Sequence, residues 1–356
     1  MNKKFGKLLL LPIFLGLLLL ALTACSSYDE NYAIYDLWVA GVKVTTRNSA
    51  DILGDGTVSY VGDGKSGTLT LNGADITESS NEDAEAFIVS TIDSLTLNLV
   101  GENRIGMGEK APVNGISAFD LKIEGEGSLA VGARASCIKA ESLTVESGKI
   151  DTYIKTASDE IATFIGVGFW AQELLTVNGG DIRVHYSPEF TAISYGLYCV
   201  KDLTVNGGSI EIKREDAAAL GIGIIASEKL TIAGGSIDVY GNDDAMNAKT
   251  FSMSGGNVSA SAVDRFLIGF NPETGPVFAS DGVCRLVYRA EFSGGSLTLT
   301  ALDRTGTDTT PTFLSKDLVL DGMIVSGGDT VDTLTEKDST TYTYTDICIR
   351  IEREGD

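Results

Sequence analysis

The stretch "LTVNGGDIRVHY" at residues 175–186 returns, altered, as "LTVNGGSIEIKR", "LTIAGGSIDVYG" and "FSMSGGNVSASA". A repeat this short constrains the fold more than composition can. One copy cannot bury its own apolar face, whereas stacked copies bury a continuous core. Take the second corner residue (Gly148, Gly180, Gly208, Gly235 and Gly256) as the origin. Leu143, Leu175, Leu203, Leu230 and Phe251 then stand five residues before it, and Val145, Val177, Val205, Ile232 and Met253 three before. Thr144, Thr176, Thr204, Thr231 and Ser252 lie between them. Alternation with period two marks a half-buried strand.

After the corner the alternation resumes. Ile150, Ile182, Ile210, Ile237 and Val258 (plus two) and Thr152, Val184, Ile212, Val239 and Ala260 (plus four) read as inward. Plus three (Asp151, Arg183, Glu211, Asp238) and plus five (Tyr153, His185, Lys213, Tyr240) must then point outward. Looser copies occur at residues 69–76, 121–131 and 290–300, and a further short strand ("NGISA", "SCIKA", "GFWAQ", "GLYCV", "GIIAS") precedes many of them. Corners follow one another at 32, 28, 27 and 21 residues. That length holds three short strands per turn and is too short for a four-stranded propeller blade. The pattern predicts an all-β fold, a right-handed parallel β-helix with N- and C-terminal caps. Residues 36–356 would form one domain: about 36–66 the first cap, 67–300 the stacked repeats, 301–356 the second cap. The alternating, charge-ended C-terminus reads as a closing edge strand, and "GFNPETGPVF" at 269–278 as a protruding loop.

The N-terminus stands outside this fold. Lys3, Lys4 and Lys7 precede an apolar run over 8–20, and "LTAC" ends at Cys25. Residues 1–24 read as a secretory signal. The ending resembles a bacterial lipobox, which implies cleavage before Cys25, a diacylglyceryl group on its sulfur and a polar tether over 25–35. The expected location is the extracellular face of the cell membrane, lipid-anchored. Stable anchoring takes more than one acyl chain.

Forty-nine acidic against 27 basic residues give a net charge of −22, and loss of the three signal lysines takes it to −25. Such a surface repels nucleic acid and anionic headgroups. Cys137, Cys199, Cys284 and Cys348 have no CxxC spacing, and His185 is the only histidine, which argues against a zinc centre. Cys137 and Cys199 fall at similar places in copies two repeats apart, beyond disulfide reach, and the cysteines read as small buried hydrophobes.

The outward positions are where function must be sought. Tyr153, His185, Lys213 and Tyr240 with Asp151, Arg183, Glu211 and Asp238 would form a ladder, one step per repeat. Tyrosine faces suit the C–H surfaces of a sugar, and charged groups suit its hydroxyls. Asp243 and Asp244 with Asn242 and Asn247 gather hard oxygen donors of the kind calcium prefers. Enzymatic readings have less support. A nucleophilic triad would have to use the outward His185. A β-elimination lyase needs a base such as Arg183, Lys213 or Arg214 and calcium to neutralise a uronate. A glycoside hydrolase needs two carboxylates about 5 to 9.5 Å apart, a separation that outward acids reach by chance in any acidic solenoid.

"GNDDAMNAKTFSMSGGNV" at 241–258 resembles the repeat pattern of the β-helical carbohydrate-binding-domain family, with Ala245 and Met246 where that pattern more often has Gly and Ile. "DLWVAGVKVT", "LGDGTVSY" and "GTLTLNGADI" look like the opening of secreted bacterial surface proteins. The resemblance covers most of 36–300 and implies extracellular polysaccharide binding, often calcium-associated, on a scaffold similar to pectate lyases. The expectation is a lipid-anchored, non-catalytic surface protein that binds polysaccharide. A calcium-dependent polysaccharide lyase is the first alternative, and a surface adhesin or structural protein binding another protein the second.

Overall fold

The computed structural model describes residues 32–353 apart from 82–83, 110, 156–164, 187–193, 214–220, 243, 264–268, 272–274, 278–283, 303–311, 315–316, 338–342, 345 and 347. The signal segment, Cys25, Asp243 and Arg214 lie outside the described residues, as does most of the tether. Among the described residues there is no helix. Twenty-seven strands join one sheet, and Gly269–Asn271 pairs antiparallel with Gly275–Val277 in a separate one. The interrupting segment therefore contains a hairpin.

Successive copies of the repeat pair parallel and in register. After the corners, Ile150, Ile182, Ile210, Ile237 and Val258 stand side by side. Before them, Leu121, Leu143, Leu175, Leu203, Leu230 and Phe251 form another column. Every residue at the four positions expected inward is at most 3% exposed. The column continues to Ala290, and its neighbour runs Met253 to Phe292, so the phenylalanine moves from one column to the other. The rings of Phe251 and Phe292 meet at 5.4 Å.

The second glycines take φ of +95, +87, +83, +87 and +83° at 148, 180, 208, 235 and 256. At the last four the backbone also leaves no room: a Cβ on Gly180 would lie 2.7 Å from the Gly148 carbonyl oxygen, and one on Gly208 2.7 Å from that of Gly180. Ser147 replaces the first glycine of its corner. The preceding corner is one residue longer, and the Ser147 hydroxyl fits there, donating to the Gly125 carbonyl and accepting from the Gly125 N–H, both at 3.0 Å.

Four expectations need correcting. The short strand before each copy is mostly continuous with it, as in Ser136–Val145, Gly166–Val177 and Gly221–Ile232, and only a register shift such as that between Ala140 and Ser142 marks the bend. A further copy, Ser94–Val100 with Glu102–Ile105, pairs between Ser66–Asn72 and Asn114–Gly125. It has no Gly-Gly, and Gly101 alone takes φ +66° there. Cys199 shares its column with Ala171 and Ala140, whereas Cys137 precedes Ile138, the partner of Phe169, so the two cysteines do not occupy equivalent places. Finally, Cys348–Arg353 is not an edge: it pairs antiparallel with both Cys284–Leu302 and Met323–Gly328. At the other end Ile34–Val39 pairs antiparallel with Val42–Thr45 and with Ala86–Ser90.

Cys137, Cys199 and Cys348 are free and buried. Burial pushes the Cys137 thiol up to about 12 and the Cys199 thiol to about 11. A thiol held protonated is a poor nucleophile. Iodoacetamide at mildly alkaline pH should label neither until denaturant is added; peptide mapping that found either of them labelled in the native chain would contradict this packing. The glycine corner makes a second prediction. At Gly54, with φ +78° and open space around it, alanine should cost only the left-handed strain, about 1–2 kcal/mol. Gly180→Ala adds a backbone clash and should cost clearly more in denaturant unfolding. Equal losses would mean that the corner has room for a side chain.

Candidate functional site

The period-two pattern places the eight ladder residues on the outer surface, and the structure brings them into two adjacent columns. Asp75, Arg104, Ala130, Asp151, Arg183, Glu211 and Asp238 make the first, each in register with the next. Gly132, Tyr153, His185 and Lys213 make the second, and the same register puts Tyr240 next, beside Ser261. All eight are half-buried or exposed.

Their charges are spent on one another. His185 Nε2 donates to Asp151 Oδ1 at 3.1 Å, and Lys149 Nζ lies 3.7 Å from the other oxygen. Arg183 donates from Nη2 to Asp181 at 3.1 Å, and its Nε sits 3.4 Å from Glu211 Oε2. Lys213 donates to Glu211 and approaches Asp238 at 3.3 Å. Tyr153 and His185 stack with centroids 4.6 Å apart and planes 10° from parallel. One face of the tyrosine is thus covered by the next step of the ladder. Desolvation, followed by the charge of Asp151, raises the Tyr153 hydroxyl above its ordinary range.

This arrangement argues against catalysis by these groups. The hydrogen bond from Lys213 holds the Glu211 carboxyl below its usual range, the opposite of what a general acid requires. Glu211 in turn raises Lys213, with Asp238 adding to it, whereas a lyase base needs a lowered one.

Asp243 of the expected calcium corner lies outside the described residues. Asn242, Asp244 and Asn247 are 7, 4 and 4% exposed, and the Asn247 amide donates to Asp244 Oδ2 at 3.2 Å. The described residues there carry the Asp244 carboxylate and the side-chain amides of Asn242 and Asn247, oxygen donors of the kind calcium takes. A shallow groove lined by Asn98, Glu102, Glu126, Ser128 and Lys149 runs along earlier corners.

Residues 168–265 match the model of a family described as carbohydrate-binding domain-containing proteins. No curated protein and no solved structure matches the chain. The matched stretch holds Arg183, His185, Glu211, Lys213, Asp238 and Tyr240, with Asp151 and Tyr153 just before it.

The sequence reading passed over one outward column. Lys139, Trp170 and Tyr198 stand in register, and Trp170 and Tyr198 each lie five residues before the leucine that opens the corner strand. That equal offset in "GFWAQ" and "GLYCV" is the signal that could have exposed them.

The Glu211–Lys213 pair carries a pH signature. A lowered carboxyl contributes stability that is present above its unfolded pKa and lost as pH falls through the folded one. A raised lysine contributes below its unfolded pKa and loses it as pH rises through the folded one. The pair therefore works between the carboxylate and lysine ranges, and an exposed pair is worth at most about 1 kcal/mol. In melts taken down through the acid range, Glu211→Gln should lose slightly less stability than the parent, and added salt should shrink the gap. Superimposable profiles would show that the pair adds nothing.

Proposed function

We propose that this chain is a non-catalytic polysaccharide-binding protein of the bacterial cell surface. In this reading the parallel repeats coil as a right-handed β-helix, and a diacylglyceryl group on Cys25 tethers the chain to the extracellular face of the cell membrane. The observation that carries the binding function is the family match over 168–265, which falls on the repeats whose outward side chains stack in register. A linear polymer presents like groups at regular intervals, and a stack of repeats does the same. Tyr240 and the exposed side of Tyr153 offer apolar faces. Asp151, Arg183, Glu211, Asp238, His185 and Lys213 can exchange their mutual pairing for sugar hydroxyls at the rim. Calcium belongs to the proposal only as an ion that the Asn242–Asp243–Asp244–Asn247 corner would hold, and no part of the binding depends on it.

The test is a glycan array probed with calcium and with chelator. Retention without product is the expected result. Unsaturated sugar products would make the chain a lyase, and silence on all glycans would leave protein adhesion as its role. On a glycan that is retained, Tyr153→Ala and Tyr240→Ala should each weaken binding while the melting temperature holds. Parental affinity in both would remove this ladder from the site. Separately, Cys25→Ser should move the chain from the membrane fraction to the soluble one, and an unchanged distribution would remove the lipid anchor.

A further inference from the structure

We propose that Trp170 and Tyr198, with Tyr195 beside them and Lys139 at one end, form a stacking platform for a neutral polysaccharide laid along the direction in which the repeats stack. The proposal rests on the polysaccharide-binding reading and names the surface and the sugar class within it.

The column runs Ser117, Lys139, Trp170, Tyr198, Ile225, Asn247, each in register with the next. Trp170 and Tyr198 are half-buried, whereas the residues on either side of them, Phe169, Ala171, Leu197 and Cys199, are fully buried. The two aromatic side chains therefore leave the core and meet the surface. Tyr195 adds a third ring, 5.5 Å from Tyr198 and tilted by 49°, and the Lys139 ammonium lies 5.0 Å from the Trp170 ring centre. Neighbouring strands are about 4.8 Å apart, a step comparable to one pyranose unit. Aromatic groups on consecutive repeats can therefore receive consecutive sugars.

Two contrasts with the charged ladder favour this surface. Tyr153 gives one ring face to His185, and every charged member of that ladder is already paired. The outward strip from Ser117 to Tyr198, by comparison, contains no carboxylate in a chain of net charge −22, and beyond it Ile225 and Asn247 are buried. It offers what the apolar face of a sugar ring needs: flat aromatic area, an ammonium that donates to a hydroxyl, and a tyrosine hydroxyl. The acidity of the remaining surface repels uronate and sulfate chains, which favours a neutral chain. Trp170, Tyr195 and Tyr198 all fall inside the matched stretch.

The test is affinity electrophoresis of the full chain in gels containing soluble β-glucan, xylan or galactomannan, with polygalacturonate as the anionic comparator. The parent should be retarded by at least one neutral polymer. Trp170→Ala and Tyr198→Ala should each weaken retention roughly tenfold, and Trp170→Phe should restore most of it. Because the chain has two tryptophans, Trp38→Phe leaves Trp170 as the only tryptophan, and under excitation selective for tryptophan the same neutral polymer should shift its fluorescence. That readout and the Phe variant keep the test decisive if an alanine variant fails to fold. If a neutral polymer retards the parent and the variants alike and the emission is unmoved, the platform is wrong and polysaccharide binding survives. Retention by polygalacturonate alone would overturn the neutral class. Retention by none of the polymers would remove both the platform and the binding function beneath it.

Discussion

Backbone-to-backbone stacking at the glycine corners is the constraint on which the rest of this molecule depends. Asp181 N–H donates to the Gly148 carbonyl at 2.9 Å, Ser209 to Gly180 at 2.8 Å, Ser236 to Gly208 at 2.9 Å and Asn257 to Gly235 at 2.9 Å. Each corner therefore sits directly on the one before it, at a distance that excludes a side chain. Asn206 donates to Asn178 at 2.7 Å and Asn178 to Glu146 at 3.0 Å, which seals the same line from outside. A slip of one residue would turn every core side chain to solvent. The corners forbid it, and the columns of leucine, isoleucine and valine follow from that.

A pinned register acts on the surface as much as on the core. Outward residues at one position of the repeat become neighbours about 4.8 Å apart, so like charges in succession would repel and opposite charges attract. The order Asp151, Arg183, Glu211 with Lys213 and His185 alongside shows how an acidic chain keeps such a column neutral in detail. Small hydroxylated residues manage the neighbouring face differently. Thr144, Thr176, Thr204, Thr231 and Ser252 form an unbroken line between the two buried columns, and their β-branching or small size suits a flat, half-buried sheet.

Most of the fold could be read from the sequence because it is periodic. The inward assignment of Leu175, Val177, Ile182 and Val184 needed only the spacing from Gly180, and the all-β class followed. What lacked the marker was missed: residues 94–105 form a full copy without a Gly-Gly pair. The surface was legible only as positions. That Asp151 binds His185, and that Tyr153 loses a face to it, depends on which side chains cross between repeats, and spacing alone does not carry that. The pairing of Lys139 with Trp170 was hidden by the bend between Ala140 and Ser142, where the two copies differ by one residue. Counting back from the corner thus puts them out of step, although in space they are neighbours.

The C-terminal end shows how such a stack is brought to a close. Parallel pairing leaves each new copy with an open edge, and an open edge is a template for association with another chain. Here the apolar columns give way to rings: Phe251, Phe292, Phe313 and Tyr344 follow one another with centroid separations of 5.4, 6.2 and 5.9 Å. Aromatic side chains span more of the interior than leucine, so they fill the core where the aliphatic columns end. Cys348–Arg353 then enters antiparallel between two strands, with Ile349 and Ile351 fully buried. Reversing the direction breaks the one-repeat translation that would let another copy continue the stack. The charged sequence that reads as an edge is therefore half interior: its isoleucines complete the core, while Arg350 and Glu352 face outward and pair at 4.0 Å.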